Sequence, residues 1–412
     1  MDVPQVSGAS WLLILPRPPT ELSLHTLKIG YGPALTEALR NASQKTSKTG
    51  IRTQLDVGVA YSRESSLSFE KLQSFYALLY NLSSVIYIDL HIDLQYDNDV
   101  DIRFFLFADL ADNSGDQTRL SEERITMLPG FDSVAHFRKA WTRVCFIQSE
   151  PSEGMLRCFQ RARSTLYSQG TPQPQITRLP GGLGMLQTIK SPHSTTKADD
   201  NTIGQYSFVA VGGTFDHLHA GHKLLLTMTA VLCIPPGVST GDKRRSLTVG
   251  ITGDELLKNK KYREHLEDWH QRQRSVRDFL LQFLLLLSPQ HVLYNTRSGE
   301  IEKSGAKEII DEIESGITIR YVEIFDPFGP TITDETITAL VLSAETRDGG
   351  EAVNKKRQEQ GWPALDVFEV GVLDGEVSEN QSKNAKLQDF QSKLSSTEIR
   401  SRIHRKLETR TG

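Results

Sequence analysis

The sequence predicts an α/β protein of two successive domains, each built on a sheet with alternating strands and helices. Three observations lead there. Short β-prone apolar runs alternate with runs at helical spacing along the chain. Residues 190–204, KSPHSTTKADDNTIG, are polar and small without apolar period, so they read as a linker between domains at 1–189 and 205–412. Residues 207–223, SFVAVGGTFDHLHAGHK, join an apolar strand, a glycine turn and a helix start. At 412 residues, the chain is long enough for two or three domains with real cores.

In the first domain, residues 11–15 read as a strand, 33–42 as a helix and 54–60 as a second strand. Phe69, Leu72, Phe75, Tyr76 and Leu79 follow helical spacing. Residues 85–94 alternate, with Ile86, Ile88, Leu90, Ile92 and Leu94 against Tyr87, Asp89, His91 and Asp93, and predict a half-exposed strand. No complementary ligand cluster accompanies the Asp-x-His-x-Asp face, so it is read as solvated rather than metal-binding. Gly181, Gly182 and Gly184 follow Pro172, Pro174 and Pro180 and read as a loop without a phosphate role. No chemistry is assigned to this half.

In the second domain, the strand at 208–211 ends in Gly212 and Gly213. Leu224, Leu225, Met228, Val231 and Leu232 then share one helix face. Residues 247–251 form the next strand, and Lys258, Lys260 and Lys261 cluster beyond its carboxyl end, the edge where open α/β sheets bind ligands. A helix is expected at 271–287, a third strand at 291–294 and a helix at 301–313 that buries Ile309, Ile310 and Ile313. Residues 317–325 give a fourth strand, followed by the proline-stiffened loop 326–331. A fifth strand at 339–343 delivers Glu345, Thr346 and Arg347 to the same edge, with Gly349 and Gly350 relaxing a turn before a basic helix at 354–357. A sixth strand at 366–370 precedes a polar loop at 375–393. Ser395 with Glu398 then fits a capping box for a helix lined by Ile399, Ile403 and Leu407.

The chemistry centres on the glycine turn. A helix start presents unpaired backbone N–H groups and a positive dipole end, which suit a phosphate. His219 and His222 can project toward it, as imidazolium or as neutral N–H donors. No GxxxxGK[ST] run occurs, so the turn is not a P-loop. The hydroxyls of Ser395, Ser396 and Thr397, with Arg400 one turn on, form a second candidate phosphate grip. A competing reading makes Asp216, His217, His219 and His222 the ligands of a metal hydrolase. Such a centre needs further ligands at strand carboxyl ends, where His265, His270 and His291 do not fall.

The formal net charge of −4 argues against a dedicated nucleic-acid or anionic-membrane binder. Cys145, Cys158 and Cys233 form no CxxC pair, so neither a disulfide framework nor a zinc ribbon is indicated. The apolar patch at 11–15 is too short for a signal peptide, and Gln282 interrupts the run at 279–287. A soluble cytoplasmic protein is expected.

GGTFDHLHAGH resembles the GTFD and HxGH signature of nucleotidyltransferases with a Rossmann-like fold. Together with the lysines after GDELLK, DPFGPT, SAETRDGGEAVNKKR and SSTEIR, it resembles the eukaryotic and archaeal type of phosphopantetheine adenylyltransferase. The resemblance covers roughly the second half. It implies transfer of AMP from ATP, carried with Mg2+, to 4′-phosphopantetheine. By resemblance, His222 stabilises the α-phosphate, His219 lies near the nucleotide phosphates, and Thr214 and Lys258, with Lys261 second, hold the acceptor phosphate. Gly212, Gly213, Phe215, Glu345, Ser395, Ser396, Thr397 and Arg400 complete the nucleotide site, and no resident metal is implied. Asp216 is expected to hold the turn and His217 to be a loop residue. Nicotinamide mononucleotide, flavin mononucleotide or an alcohol phosphate stays open as acceptor. The animal form carries a fused dephospho-CoA kinase. Without a P-loop, that step is not expected here. The first domain is a candidate to bind other enzymes of coenzyme A synthesis.

Overall fold

The computed structural model describes residues 9–62, 68–90, 100–109, 129–136, 141–167, 173–182, 206–234, 244–287, 294–301, 305–314, 316–371 and 395–411. The chain divides into two compact units, residues 1–201 with 283–292 and residues 202–282 with 293–412. The expected linker at 190–204 lies outside the described residues.

In the first unit, β1 (Ser10–Leu15), β2 (Thr53–Tyr61), β3 (Val100–Ala108), β4 (Arg143–Ile147) and β5 (Gln175–Leu179) form a parallel sheet in the order β3-β2-β1-β4-β5. Among the described residues four helices accompany it: α1 (Leu24–Thr49), α2 (Phe69–Asp89), α3 (Phe131–His136) and α4 (Glu150–Tyr167). β1 is buried along its whole length, as a central parallel strand covered on both faces requires. Ser23 opens α1 with a capping box, and Gly50 closes it at φ 65°.

Residues 85–89 are the last turn of α2 and not a strand; 91–94 lie outside the described residues. No glycine or proline interrupts the helix from Phe69 onward. Leu79, Leu82, Ser83, Ile86 and Tyr87 extend its buried stripe at helical spacing, which outweighs a short alternation. The glycines at 181 and 182 have a packing role: a Cβ on Gly182 would lie 1.7 Å from the carbonyl oxygen of Ile29 in α1. Gly184 is outside the described residues.

From residue 206 onward the elements are β6 (Phe208–Gly213), α5 (Ala220–Cys233), β7 (Arg245–Thr252), α6 (Trp269–Leu287), β8 (Tyr294–Glu300), β9 (Lys307–Ile313), β10 (Ile317–Ile324), β11 (Ala339–Ser343), α7 (Arg347–Glu359), β12 (Asp366–Val370) and α8 (Ser396–Thr411). The sheet order is β12-β11-β6-β7-β10-β9-β8. β12, β11, β6, β7 and β10 are parallel, while β9 and β8 add an antiparallel hairpin at one edge. Numbered by appearance, the five parallel strands follow the same third-second-first-fourth-fifth order as the first unit. Ala210, Ile337, Leu340, Leu342, Val353 and Leu365 pack as a core cluster between β6, β11 and α7.

Three expectations need correction. Residues 307–313 are strand β9, not part of a helix; Ile309 and Ile310 therefore point to opposite faces and are only half-buried, while Ile313 is buried as expected and Asp311 is fully buried, paired with Arg277 at 2.7 Å. The third strand starts at Tyr294, and 291–293 lie outside the described residues. Gly349 and Gly350 sit inside the first turn of α7, where a Cβ on Gly350 would lie 2.9 Å from Leu342 Cδ1. The polar loop at 375–393 is also outside the described residues.

Candidate active site

β6 pairs with β7 on one side and β11 on the other. The chain runs outward from β6 through β7 to β10, then returns to β6's other side, which makes the carboxyl end of β6 the topological switch point of the sheet. Parallel pairing brings the segments that follow these strands to this edge, and three of them border the switch point. They are the turn at 214–219 after β6, Gly253 and the short 3-10 turn Asp254–Leu257 after β7, and the 3-10 turn Ala344–Thr346 after β11.

The turn itself is strained. Phe215 (φ 54°) and His217 (φ 48°) both take the left-handed conformation, at a cost of about 1–3 kcal/mol each, so surrounding contacts must hold them. Phe215 is fully buried and folds back over Gly213, where a Cβ would lie 3.0 Å from its ring. Asp216, also fully buried, is the anchor. Its Oδ1 accepts from the Glu267 amide at 3.0 Å, its Oδ2 pairs with Arg400, and its carbonyl accepts from Ser396 Oγ at 2.8 Å. The His217 amide donates to Glu267 Oε2, and its ring Nε2 lies 2.8 Å from the His265 carbonyl. Arg272, fully buried, donates to the carbonyls of Thr214 at 2.8 Å and Glu267 at 2.9 Å and to the Asp254 carboxylate at 2.6 Å.

His219 is the N-cap of α5 but makes no side-chain cap bond, and His222 follows in the first turn. Their rings stack 3.9 Å apart. Both Nδ1 atoms are shielded from solvent and have no hydrogen-bond partner among the described residues. Orphaned buried polar atoms cost about 1–3 kcal/mol each, so two of them at one helix start call for a physical reason. Burial pulls the His219 pKa down to about 3, helped by the neighbouring His217 and Lys223 side chains. Burial likewise holds His222 well below the ordinary histidine range, with His219 and His217 adding to it. Both imidazoles are therefore neutral near pH 7, which decides between the two protonation states left open by the sequence.

Ser395 Oγ caps α8 by accepting from the Glu398 amide at 3.3 Å. Ser396 and Arg400 dock that helix start onto Asp216, and Arg400 also donates to the Lys261 carbonyl at 3.0 Å and Thr397 Oγ1 at 3.2 Å. Two helix N-termini, of α5 and α8, thus meet at one turn. Arg400, expected to grip a triphosphate, is taken up by these internal contacts and is only 2% exposed. Lys258 lies exposed just after the 254–257 turn, paired with Glu255. The Lys261 side chain and Glu345 are exposed as well. Gly212 is exposed with open space around it.

Glu267 and Arg272, which hold the turn, escaped sequence reasoning because a glutamate before a helix and an arginine within it look like ordinary solvated charges. Other motif residues turn out to serve the fold. Arg357, 1% exposed, donates to the carbonyls of Thr331 at 2.7 Å, Ile337 at 3.2 Å and Pro363 at 2.8 Å, and Asn354 pairs with the Leu365 backbone. Asp326 Oδ1 accepts from the amides of Phe328 and Gly329 and shapes the loop after β10.

The metal-hydrolase alternative requires Asp216, His217, His219 and His222 to share one ion. Among the described residues, the His, Cys, Asp and Glu groups whose ligand atoms lie within 4.8 Å of one another are Asp216, His217 and Glu267, and Glu264, His265 and His404; neither contains His219 or His222. Among the described residues, no helix is long and apolar enough to cross a membrane.

Residues 1–185 match the model of a domain of unknown function, DUF8446. The chain is similar to phosphopantetheine adenylyltransferases. One from Saccharomyces cerevisiae is 35% identical over 216 residues, 52% of each chain, and one from Methanopyrus kandleri is 27% identical over 175 residues, 42% of this chain and 85% of that one. An uncharacterized protein of Schizosaccharomyces pombe is 36% identical over 194 residues, 47% of each chain. The chain thus spans about half the length of the two fungal relatives it matches.

Proposed function

We propose that the second unit transfers AMP from ATP to 4′-phosphopantetheine, giving dephospho-coenzyme A and pyrophosphate. The observation that carries the proposal is the meeting of two helix N-termini at the switch-point turn, with two neutral histidines whose Nδ1 atoms lack partners among the described residues. The relatives named phosphopantetheine adenylyltransferase supply the reaction and the acceptor.

In this reaction an oxygen of the acceptor phosphate attacks the α-phosphorus of ATP, a new P–O–P bridge forms, and the bond from the α-phosphorus to the oxygen bridging to the β-phosphate breaks. Pyrophosphate leaves with magnesium, which enters as part of the substrate. The attacking group is already an anion, so no general base is needed. Catalysis then rests on bringing two anions into line and stabilising charge around the α-phosphorus. Neutral His219 and His222 suit this as N–H donors beside the α5 dipole, because they add no proton that could be lost to the phosphates. Thr214 and the exposed cations Lys258 and Lys261 are assigned to the acceptor phosphate. Gly212, Gly213, Phe215, Glu345 and the α8 start at Ser395, Ser396 and Thr397 are assigned to the nucleotide. Arg400 is assigned a positioning role through Asp216.

The test is pyrophosphate release from ATP, measured in parallel with 4′-phosphopantetheine and nicotinamide mononucleotide. Turnover with the first alone is expected, and turnover with the second alone overturns the assignment.

A further inference from the structure

Away from the stacked histidines, three potential ligands from two distant parts of the chain converge where α8 crosses the short 3-10 turn Arg263–His265. His265 Nε2 and His404 Nδ1 face each other at 3.3 Å. Glu264 Oε1 lies 3.1 Å from His404 Nδ1 and 3.7 Å from His265 Nε2. Tetrahedral zinc with bonds of about 2.0–2.1 Å separates neighbouring ligand atoms by roughly 3.3–3.4 Å. Two edges of the observed triangle fall near that length and the third needs a few tenths of an ångström. Glu264 is exposed and can supply that movement; its side chain is 56% exposed, against 12% for His265.

Hydrogen bonding alone accounts poorly for this triangle. His404 Nδ1 carries at most one proton, yet it faces a carboxylate oxygen and a second ring nitrogen at once. A cation at the centre satisfies all three lone pairs. The other nitrogen of His404, Nε2, lies 3.3 Å from Glu408 Oε1 one helical turn on. A carboxylate behind a ligating imidazole fixes its tautomer and ring orientation, as in carboxylate–histidine–metal arrangements.

We propose that Glu264, His265 and His404 form a transition-metal site, of zinc type, with Glu408 orienting His404 and one coordination position open to solvent. Two imidazoles and one carboxylate favour zinc over the oxygen-seeking magnesium and calcium. Bound there, the ion staples α8 to the segment that precedes Glu267, and so stiffens the helix whose start docks on Asp216. The site is separate from adenylyl transfer, and its occupancy is measurable whether or not the chain turns over ATP.

The experiment titrates the metal-free full chain with Co2+, whose visible absorption reports tetrahedral coordination, and follows with Zn2+ competition. One equivalent of tetrahedral cobalt, displaced by zinc, is expected. The absorption disappears in His404→Gln and in His265→Gln, while Glu408→Gln weakens binding about 10–100-fold, the usual effect of losing an orienting carboxylate. Zinc also raises the unfolding temperature of the parent chain and not of His404→Gln, whose metal-free circular dichroism matches the parent. Absence of tetrahedral cobalt absorption in the parent, or its persistence in a folded His404→Gln chain, overturns the site.

Discussion

The imidazoles of His219 and His222 stack with centroids 3.9 Å apart and planes inclined by 24°. Two protonated rings could not stand so close without repulsion, and burial already keeps both neutral. The pair is a stacked neutral plate at the head of α5 and not a pair of charges.

Replacing His222 by alanine is expected to lower turnover with ATP and 4′-phosphopantetheine by about two to three orders of magnitude, the range for removing one transition-state donor. The unfolding temperature should change little. Steady-state kinetics beside a thermal melt checks both, and a folded variant losing less than tenfold in kcat removes His222 from the central role.

The same pair sets a pH dependence of stability. An unfolded histidine titrates near 6.5, whereas His219 is depressed to about 3 and His222 is depressed as well. Between these values the unfolded chain binds more protons than the folded one. The contribution of these groups to stability is therefore lost as the pH falls below about 6.5 and regained as it rises. Urea unfolding midpoints measured at several pH values should drop on acidification, and the drop should shrink in a His219→Gln, His222→Gln double variant.

Breaking the buried Asp216–Arg400 pair strands a charge in the interior. Arg400→Leu is expected to destabilise the chain by about 3–5 kcal/mol and to depress turnover through the displaced turn. Asp216→Asn should behave alike. Chemical denaturation quantifies this, and a loss below about 1 kcal/mol in both variants contradicts the anchoring role.

Two neighbouring glycines of α7 should respond oppositely to alanine. Gly350 packs against Leu342 and Val367, and an added methyl is expected to cost about 1–3 kcal/mol. Gly349 has nothing within 4 Å of the same position, so alanine there should stabilise by up to about 1 kcal/mol through helix propensity. Thermal melts of the two single variants provide the comparison.

The parallel strands of the second unit were legible because each is a short apolar run bounded by turn residues, as Val209–Val211 and Ala339–Leu342 illustrate, whereas β3, β4 and β5 of the first unit were not read from the sequence. Neither was the hairpin strand β9. Ile309, Ile310 and Ile313 fit helical spacing as well as they fit a strand, and what decides is pairing with β10, where Ile309 lies opposite Tyr321 and Asp311 opposite Ile319. The phosphate-type turn was visible in GGTFDHLHAGH, because glycines, histidines and helix start are contiguous there. The contacts that hold it were not visible. Glu267, Arg272 and Arg400 reach it from far along the chain, and His265 meets His404 across 139 positions. Such meetings depend on where α8 comes to rest, which no local pattern encodes.

Arg400 follows Asp216 by 184 positions. At about 5–20 residues per second, a ribosome delivers the guanidinium roughly 10–40 seconds after the carboxylate it neutralises. Through that interval the glycine turn has neither its cation nor the second helix start, and its strained backbone is free to relax. The nascent chain can assemble most of the sheet, but the turn acquires its anchored geometry only when α8 arrives, close to the end of synthesis.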